Sequence, residues 1–348
     1  MLKVLYISNI EVPYRTEYFN QLAKKVDLTV LYERKKSSNR DEKWSESVKS
    51  DYCIKYLKGL KILKEYTLDI RILKYAFNNY DSIIFGCFNS PSQIFAMQIM
   101  KLLKKKYILN LDGEYFFSGP GIKKRIKRFL IKGADKYLIA GEQASRNLRK
   151  LVKKEKVHTY HFSSLTNRDL EKNAKKINKN TNNKVLVVGQ YYNYKGLDIA
   201  LQCAKNDESI KYRFVGSGKR NKELLQQVET MKLTNVEIIP FLEKEKLFKE
   251  YQRCKCLLLP SRKECWGLVI NEAASFGCPI IASNDSGAAR DFVEKYWLAK
   301  DANTMHYKLL ELDKKNYNKK RLLEITKRYS IENNVIETIN CLKNLKDK

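Results

Sequence analysis

The 348-residue chain is 43% apolar, a composition that is typical of folded globular proteins and excludes general disorder. It carries 68 lysines and arginines against 39 aspartates and glutamates, which gives a formal net charge of +29. This excess indicates an anionic partner such as nucleic acid, an acidic membrane or a phosphorylated substrate, although solvated lysines would account for part of it. The length of the chain predicts two domains.

The eight cysteines are irregularly spaced, and a chain of this size needs no disulfide scaffold. Cys254 and Cys256 are too close in sequence for the usual zinc site. We therefore expect reduced cysteines, no metal site and a cytoplasmic protein. The first residues lack the apolar stretch and cleavage site of a signal peptide, and no window contains the ~18 uncharged residues of a membrane-spanning helix. Any membrane contact is expected to be peripheral, on the inner face of the cell membrane.

Short β-rich runs alternate with helical patterns along the chain, which is typical of parallel sheets flanked by helices. The strands predicted in the first half are 3–7, 28–32, 82–85, 107–110 and 136–140, and the helices are 14–25, 92–105 and 121–132. The strands predicted in the second half are 185–188, 212–215, 236–239, 256–259 and 279–282.

These elements predict an α/β protein with two doubly wound domains. A polar stretch rich in Asn and Lys separates the two series, and we interpret it as a linker. The predicted divisions are a first domain at 1–166, a linker at 167–184, a second domain at 185–328 and a closing segment at 329–348, whose apolar residues predict a helix. A crevice between two such domains would be the default binding site.

A buried strand, a loop and a helix are predicted in direct succession from Leu257 onward. Pro260 is expected to end the strand, so that Glu264 lies in the loop and Glu272 about one turn into the helix. Gly267, between them, would let a ligand approach the backbone, and free amides at the helix start favour an anion such as a diphosphate. With a sugar nucleotide bound there, the two carboxylates would accept hydrogen bonds from hydroxyls of the sugar and the ribose. Taken without this context, the two glutamates would be read as solvated charges.

This segment resembles the E-x7-E motif of the retaining family-four glycosyltransferases. The match includes Pro260-Ser261 before the motif, Trp266-Gly267 within it and the run 277–283 after it. The resemblance implies the GT-B architecture, in which two Rossmann-like domains face a central crevice and a C-terminal helix crosses back to the N-terminal domain. It also implies a role for each matching position: Glu264 beside the donor sugar, Glu272 beside the ribose, the backbone of Gly267 and Leu268 at the diphosphate, and Trp266 at the substrate.

A second stretch is similar to the strand and loop that begin the family's second domain. It runs Val187-Val188-Gly189-Gln190 and continues with Lys195-Gly196-Leu197-Asp198. The resemblance implies that Lys195 binds the leaving diphosphate as a point charge, with Gly189 and Gln190 beside it. The family commonly has arginine where this chain has Gln190, so one cation of the diphosphate clamp is missing unless Arg262 or Lys263 replaces it. The nearby Gly216-Ser217-Gly218 is interpreted as a tight turn, because no third glycine completes a dinucleotide fingerprint.

The first domain is expected to bind the acceptor, and its signals are weaker. Arg15 would either approach a phosphate or solvate the start of a helix. Asp112 and Glu114 follow the strand at 107–110, where ligands of parallel sheets bind, and either could position or deprotonate the acceptor hydroxyl. They could also be read as a metal pair, but family-four enzymes are similar in needing no metal, and we expect none.

The run 121–132 is predicted as a basic amphipathic helix. Its apolar residues Ile122, Ile126, Phe129 and Leu130 share a face, and five cations lie within 123–128. We expect the apolar stripe to pack on the core while the cations face an anionic membrane surface. A lipid-diphosphate-linked acceptor would account for such a surface.

The sequence predicts a retaining glycosyltransferase, of the hexosyl or N-acetylhexosaminyl class, that acts in cell-surface polysaccharide synthesis. It would move a sugar from a nucleotide-diphosphate donor, UDP-linked by resemblance, to a hydroxyl of a glycan or lipid-linked acceptor, without a cofactor. One alternative is a nucleic-acid-binding protein, motivated by the charge, but the lysines are spread over both halves and no recognition motif is present. The other is a different GT-B enzyme, such as a sugar-nucleotide epimerase or a phosphorylase.

Overall fold

The computed structural model describes residues 1–35, 49–63, 66–113, 121–177, 182–218 and 220–346. Its backbone separates into two compact units, one formed by Met1–Phe162 with Ile331–Lys348 and the other by Ser163–Ser330. Each unit contains a parallel β-sheet with helices in its connections.

The strands of the first unit are β1 (Lys3–Ile10), β2 (Asp27–Arg34), β3 (Cys53–Tyr56), β4 (Leu60–Leu63), β5 (Tyr66–Leu68), β6 (Ser82–Phe85), β7 (Ile108–Leu111), β8 (Lys136–Ala140) and β9 (Val157–Tyr160). Its helices before residue 162 are α1 (Pro13–Ala23), α2 (Ile72–Ala76), α3 (Pro91–Leu102), α4 (Gly121–Ile131) and α5 (Glu142–Leu148). The parallel sheet has the order β3-β2-β1-β6-β7-β8-β9, and β4 and β5 form a separate antiparallel pair.

The strand β1 lies in the interior of this sheet, between β2 and β6. Val4, Leu5 and Ile7 are fully buried, because helices cover both faces of such a sheet and its strands are apolar runs rather than alternating patterns. The strand order reverses at β1. The carboxyl ends of β1 and β6 therefore flank a topological switch point, the place where open parallel sheets bind ligands.

The second unit repeats this design with α6 (Asn167–Ala174), β10 (Lys184–Val188), α7 (Leu197–Asn206), β11 (Lys211–Val215), α8 (Asn221–Thr230), β12 (Val236–Ile239), α9 (Lys244–Arg253), β13 (Cys256–Leu259), α10 (Leu268–Ser275), β14 (Ile280–Ala282), α11 (Gly287–Phe292), α12 (Ala302–Glu311) and α13 (Lys319–Thr326). The strand order is β12-β11-β10-β13-β14, all parallel. Its switch point lies between β10 and β13, so the loops that begin at Gly189 and Pro260 share one edge of the sheet.

The composition of the stretch 167–184 predicts a linker. In the structure this stretch begins with the helix α6. Thr166 caps this helix by accepting a hydrogen bond from the amide of Asp169, whose carboxylate accepts in turn from the amide of Thr166. This capping box satisfies orphan amides of the first turn. Asn173 then donates to the Ser275 hydroxyl at 2.9 Å. Because the buried residue of α6 is the polar Asn173, a search for apolar periodicity does not predict this helix.

The C-terminal helix α14 (Ile331–Lys346) belongs to the first unit, as the sequence predicts. It packs against α1, β8 and β9. The hydroxyls of Tyr18 and Thr338 are 2.8 Å apart, and Ile331 and Leu342 are fully buried. The helix therefore completes the covering of one face of the first sheet.

The apolar stripe of α4 does not pack on the core, which corrects the sequence-based expectation. Ile122 is 75% exposed, Ile126 52% and Phe129 60%, while Ile131 at the end of the helix is buried. A hydrophobic period identifies a stripe but not the neighbour that covers it. No helix within the described ranges is long and apolar enough to cross a bilayer.

Candidate functional site

The loop between β13 and α10 is held in a fixed shape by the following loop at 283–288. Ser283 donates its hydroxyl proton to the carbonyl of Ser261, and Ser286 donates to the carbonyl of Trp266 at 2.7 Å. The amide of Ala288 donates to the same Trp266 carbonyl at 2.9 Å. The predicted strand, loop and helix are thus confirmed, and the loop that contains Glu264 is rigidly supported.

Gly267 is the N-cap of α10 and has a left-handed backbone with φ of +97°. A Cβ at this position would lie 2.9 Å from the Ser286 hydroxyl and 3.2 Å from Cγ of Glu264. Only glycine fits such a backbone without strain. The Glu264 side chain is consequently held against the start of α10, where the first amides of a helix have no partner within it.

Lys195 and Glu264 form an ion pair, with the Lys195 ammonium donating to Oε2 of the carboxylate. The two side chains follow the neighbouring strands β10 and β13 and are 16% and 15% exposed. The sequence names each residue as part of the donor site, and the structure brings them together at the switch point of the second sheet.

The two loops of this ion pair are also locked through their backbones. Gly196 has a left-handed φ of +67°, and a Cβ there would lie 2.1 Å from the carbonyl oxygen of Pro260. The amides of Arg262 and Lys263 both donate to the carbonyl of Tyr194, at 2.8 and 3.2 Å. Glycine at 196 is therefore required for the close approach of the lysine loop to the glutamate loop.

Arg262 does not take the place of the cation that is missing at Gln190. Its guanidinium binds both carboxylate oxygens of Asp198 and donates to the carbonyl of Asn193 at 3.1 Å. This ion pair lowers the pKa of Asp198 below its ordinary range. Arg262 therefore fastens the loop after β13 to the Lys195 loop and to the first turn of α7, so its charge has a structural use.

Gly189 and the turn at 216–218 lie against each other at the ends of β10 and β11. The Gly189 amide donates to the Val215 carbonyl at 3.1 Å, and a Cβ on Gly216 would lie 2.0 Å from the carbonyl oxygen of Gly189. A Cβ on Gly218 would lie 2.8 Å from the amide nitrogen of Tyr191. Gly216 and Gly218 therefore serve close backbone packing.

Glu272 lies in the middle of α10 and accepts hydrogen bonds at both oxygens. The Ser164 hydroxyl donates at 3.0 Å and the Tyr251 hydroxyl at 3.1 Å. Burial raises the pKa of the Glu272 carboxyl above its ordinary value, and the two hydroxyls oppose this rise. The sequence does not point to Ser164 or Tyr251, because both are distant from Glu272 in the chain and neither belongs to a recognisable motif.

Trp266 is buried in the second unit and supports the loop from inside. Its indole N–H donates to the side-chain oxygen of Asn271 at 2.9 Å, and its ring stacks on that of Tyr329 with centroids 5.8 Å apart. With 3% of its surface exposed, Trp266 has little area for direct contact with a substrate.

Arg15, in the first turn of α1, and Asp112, directly after β7, form a second ion pair, in the first unit. Arg15 is buried, and its guanidinium lies 4.8 Å from the ring centroid of Phe162. Burial favours a lower pKa for Arg15, but Asp112, Tyr6 and Tyr160 together outweigh this effect and raise the pKa above its ordinary value. Arg15 therefore does not solvate the start of α1, one of its two predicted roles.

Three further polar side chains continue from Asp112 into the sheet. The Tyr160 hydroxyl donates to Asp112 at 2.5 Å and accepts from the Asn110 amide at 3.0 Å. Tyr6 in turn donates to Asn110 at 2.5 Å. This chain fixes the orientation of the Asp112 carboxylate. No sequence motif points to Tyr160, and Glu114 lies outside the described residues.

No three His, Cys, Asp or Glu side chains in the described part of the chain lie close enough together to hold a metal ion. Cys254 and Cys278 are neighbours, with sulfurs 3.3 Å apart. The hydrogen bond between the two thiols and, after it, burial raise the pKa of Cys254. Such thiols behave as small apolar groups.

Residues 167–308 match the family model described as glycosyl transferases group 1. The chain is 27% identical over 254 residues to an uncharacterized glycosyltransferase of Haemophilus influenzae, covering 71% of this chain and 66% of that protein. It is 33% identical over 91 residues to the O-antigen biosynthesis glycosyltransferase WclY of Escherichia coli, covering 26% and 25%. The matched regions thus span less than two thirds of the length of either relative.

The fold is similar to those of two solved structures over nearly the whole chain. One is Anabaena HepE in complex with UDP, with a TM-score of 0.71, 14% identity and 100% of both chains covered. The other is sucrose-phosphate synthase from Thermosynechococcus elongatus, with a TM-score of 0.73, 15% identity and 99% of both chains covered. The α/β fold class that the sequence predicts, with the two Rossmann-like units of GT-B proteins, is confirmed, and the sequence matches support a glycosyltransferase.

Proposed function

We propose that the chain is a retaining glycosyltransferase that moves a sugar from a UDP-linked donor to a hydroxyl of a glycan or lipid-diphosphate-linked acceptor. The observation that carries this proposal is the Lys195–Glu264 ion pair at the switch point of the second sheet. A cation and free helix amides favour a diphosphate, and a carboxylate beside them favours sugar hydroxyls. The presence of UDP in the HepE structure supports the donor class, and the description of WclY supports a role in surface polysaccharide synthesis.

In the proposed reaction the donor diphosphate replaces Glu264 as the ion-pair partner of Lys195. The diphosphate lies against Lys195 and the amides of Gly267 and Leu268, while Glu264 accepts hydrogen bonds from the sugar. The bond from the anomeric carbon to the diphosphate breaks, and a bond from the acceptor oxygen forms on the same face of the sugar. The acceptor proton passes to the departing phosphate oxygen. Lys195 and the helix amides stabilise the negative charge that develops there, which is electrostatic catalysis.

Glu272 is proposed to bind the ribose through lone pairs that Ser164 and Tyr251 leave available, since each carboxylate oxygen can accept more than one hydrogen bond. Gly189 and Gln190 are proposed to line the diphosphate site. Gln190 carries no charge, so Lys195 is the main cation of this clamp. Trp266 is proposed to act by holding the loop rather than by touching the donor.

Acceptor binding is proposed for the first unit, with Asp112 orienting the acceptor hydroxyl by accepting its hydrogen bond and Arg15 holding Asp112 in place. Glu114 is retained as a second acceptor-binding residue. The reaction is proposed to need no metal or cofactor. The basic helix α4 supports the proposal that the protein works at the inner face of the cell membrane, where lipid-linked acceptors are found.

The experiment is a transfer assay with UDP-hexoses and UDP-N-acetylhexosamines, in which NMR reads the anomeric configuration of the product. Lys195→Ala and Glu264→Ala should each lower kcat/KM by about 100- to 1,000-fold. The matched controls Lys249→Ala and Glu229→Ala alter exposed charges of the same unit and should leave the rate unchanged. An inverted product, or full activity in both site variants, would refute the proposal. Conversion of the donor without an acceptor would identify an epimerase instead.

A further inference from the structure

The end of α3 and the basic helix α4 lie next to each other in the first unit. The ammonium of Lys101, in the last turn of α3, lies 4.6 Å from the ring centroid of Phe129 on α4. The same lysine side chain packs beside Gly133, where an added Cβ would lie 2.9 Å from its Cδ. These contacts join the two helix ends into one region of the surface.

This region exposes aliphatic side chains from both helices. Leu102 is 76% exposed and Leu103 is 53% exposed at the end of α3, and they add to the exposed Ile122, Ile126 and Phe129 of α4. Large apolar side chains are normally exposed singly, whereas a contiguous exposed group marks an interaction site. We call these five residues the apolar face.

The charge around the apolar face has one sign. The segment 101–106 contains four lysines, the segment 121–132 contains six lysines and arginines, and neither contains an aspartate or a glutamate. Protein–protein interfaces are depleted in lysine at their centres, and single-stranded nucleic acid stacks its successive bases on several aromatic rings, whereas Phe129 is a single ring among four aliphatic side chains of the apolar face. Aliphatic side chains mixed with lysine and arginine are typical of surfaces that lie in the headgroup region of an anionic bilayer.

We propose that the apolar face, with Leu102 and Leu103 as a second anchor beside α4, docks this protein onto an anionic lipid bilayer. The two leucines enter the acyl boundary next to Ile122, Ile126 and Phe129, and the surrounding cations contact the lipid phosphates. The proposal deepens the proposed function by naming the surface that meets the membrane, and it adds a contact site that the basic helix alone does not predict.

The experiment measures co-sedimentation of the full chain with phosphatidylcholine vesicles that contain or lack phosphatidylglycerol. The protein should bind the anionic vesicles and release from them as salt is raised. Leu102→Gln combined with Leu103→Gln should weaken binding by about tenfold, since two apolar side chains leave the lipid. Leu225→Gln and Ile336→Gln replace exposed apolar residues elsewhere, 50% and 55% exposed, and should have no effect.

UDP titration of the double variant separates this proposal from the proposed function. Unchanged UDP affinity with lost vesicle binding supports docking by this face, whereas lost UDP affinity would indicate a general structural defect and overturn the assignment. Equal binding of the double variant and the unaltered protein, or equal binding to neutral and anionic vesicles, would also overturn it. The proposal would also be overturned if duplex DNA displaced the protein from the vesicles and the double variant bound that DNA as tightly as the unaltered protein does.

Discussion

Lys195 and Glu264 form a partly buried ion pair between the loops that follow two neighbouring strands, β10 and β13. Each charge neutralises the other while no diphosphate is present. A bound diphosphate would compete for Lys195 and free Glu264 for the donor sugar. In the proposed function this pair therefore couples binding of the diphosphate to binding of the donor sugar.

Gly196→Ala should weaken donor binding without any change in a charged residue. The new Cβ would lie 2.1 Å from the Pro260 carbonyl on a backbone with φ of +67°, so the Lys195 loop must move. We expect a loss of about 1–3 kcal/mol of unfolding free energy for the second unit and a marked loss of UDP affinity. Gly121→Ala is the control, because a Cβ there meets nothing within 4 Å. Unchanged UDP affinity in Gly196→Ala would show that the close approach of the loops does not matter.

Tyr251→Phe should make UDP binding more sensitive to acid. The Tyr251 hydroxyl stabilises the ionised form of Glu272, whose pKa burial already raises. Loss of this hydrogen bond, about 1 kcal/mol, should raise the pKa of Glu272 further and move the acid limb of UDP affinity to higher pH. UDP dissociation constants measured across a pH series test this, with the exposed Tyr307→Phe as control. An unshifted acid limb would argue against a role of Glu272 in ribose binding.

Tyr160→Phe should slow sugar transfer severalfold while the UDP affinity stays the same. The Tyr160 hydroxyl donates to Asp112 at 2.5 Å and so fixes the carboxylate that we propose faces the acceptor. Steady-state kinetics in which donor and acceptor are varied separately should show a fall in kcat with little change in the donor KM. A variant that loses UDP affinity to the same extent as kcat would point to a structural role instead.

Glu33 gives the first unit a pH-dependent stability. Burial raises the pKa of its carboxyl to about 7, although hydrogen bonds from Ser90 and Gln93 oppose this rise. The folded protein therefore holds the proton of the Glu33 carboxyl more tightly than the unfolded chain does. The contribution of Glu33 to the free energy of unfolding is complete below about pH 4.5 and is lost as the pH rises through about 7.

Glu33→Gln should remove that dependence, because the amide does not titrate. Between about pH 4 and pH 8 the unfolding free energy of the variant should increase relative to the unaltered protein by about 3 kcal/mol. Urea unfolding of the first unit at both pH values measures this difference, and Glu155→Gln, at an exposed position, is the control. An equal pH dependence of Glu33→Gln and the unaltered protein would contradict the assignment.

The fold was accessible from sequence because each buried parallel strand is a short apolar run. The predicted strands at 82–85, 136–140, 236–239 and 256–259 coincide with β6, β8, β12 and β13. The helix α6 was missed because a capping box and one buried asparagine stabilise it instead of an apolar stripe.

The site was predicted only as separate residues. The motif around Glu264 and the lysine at 195 were recognisable. Their contact depends on β10 and β13 being neighbours in the sheet, and the local sequence pattern carries no information on strand order. The ion pairs Arg15–Asp112 and Arg262–Asp198 could not be predicted for the same reason. The exposure of the α4 stripe depends on tertiary packing, which periodicity alone does not report.

The most direct test of the donor site is isothermal titration of UDP into the unaltered protein, Lys195→Ala and the matched control Lys249→Ala. We expect the unaltered protein and Lys249→Ala to bind UDP equally. Lys195→Ala should bind UDP more weakly by about tenfold or more, the loss expected for one charge-assisted contact. Equal affinity of all three proteins, each folded, would contradict the assignment of the diphosphate site to Lys195 and its partner Glu264.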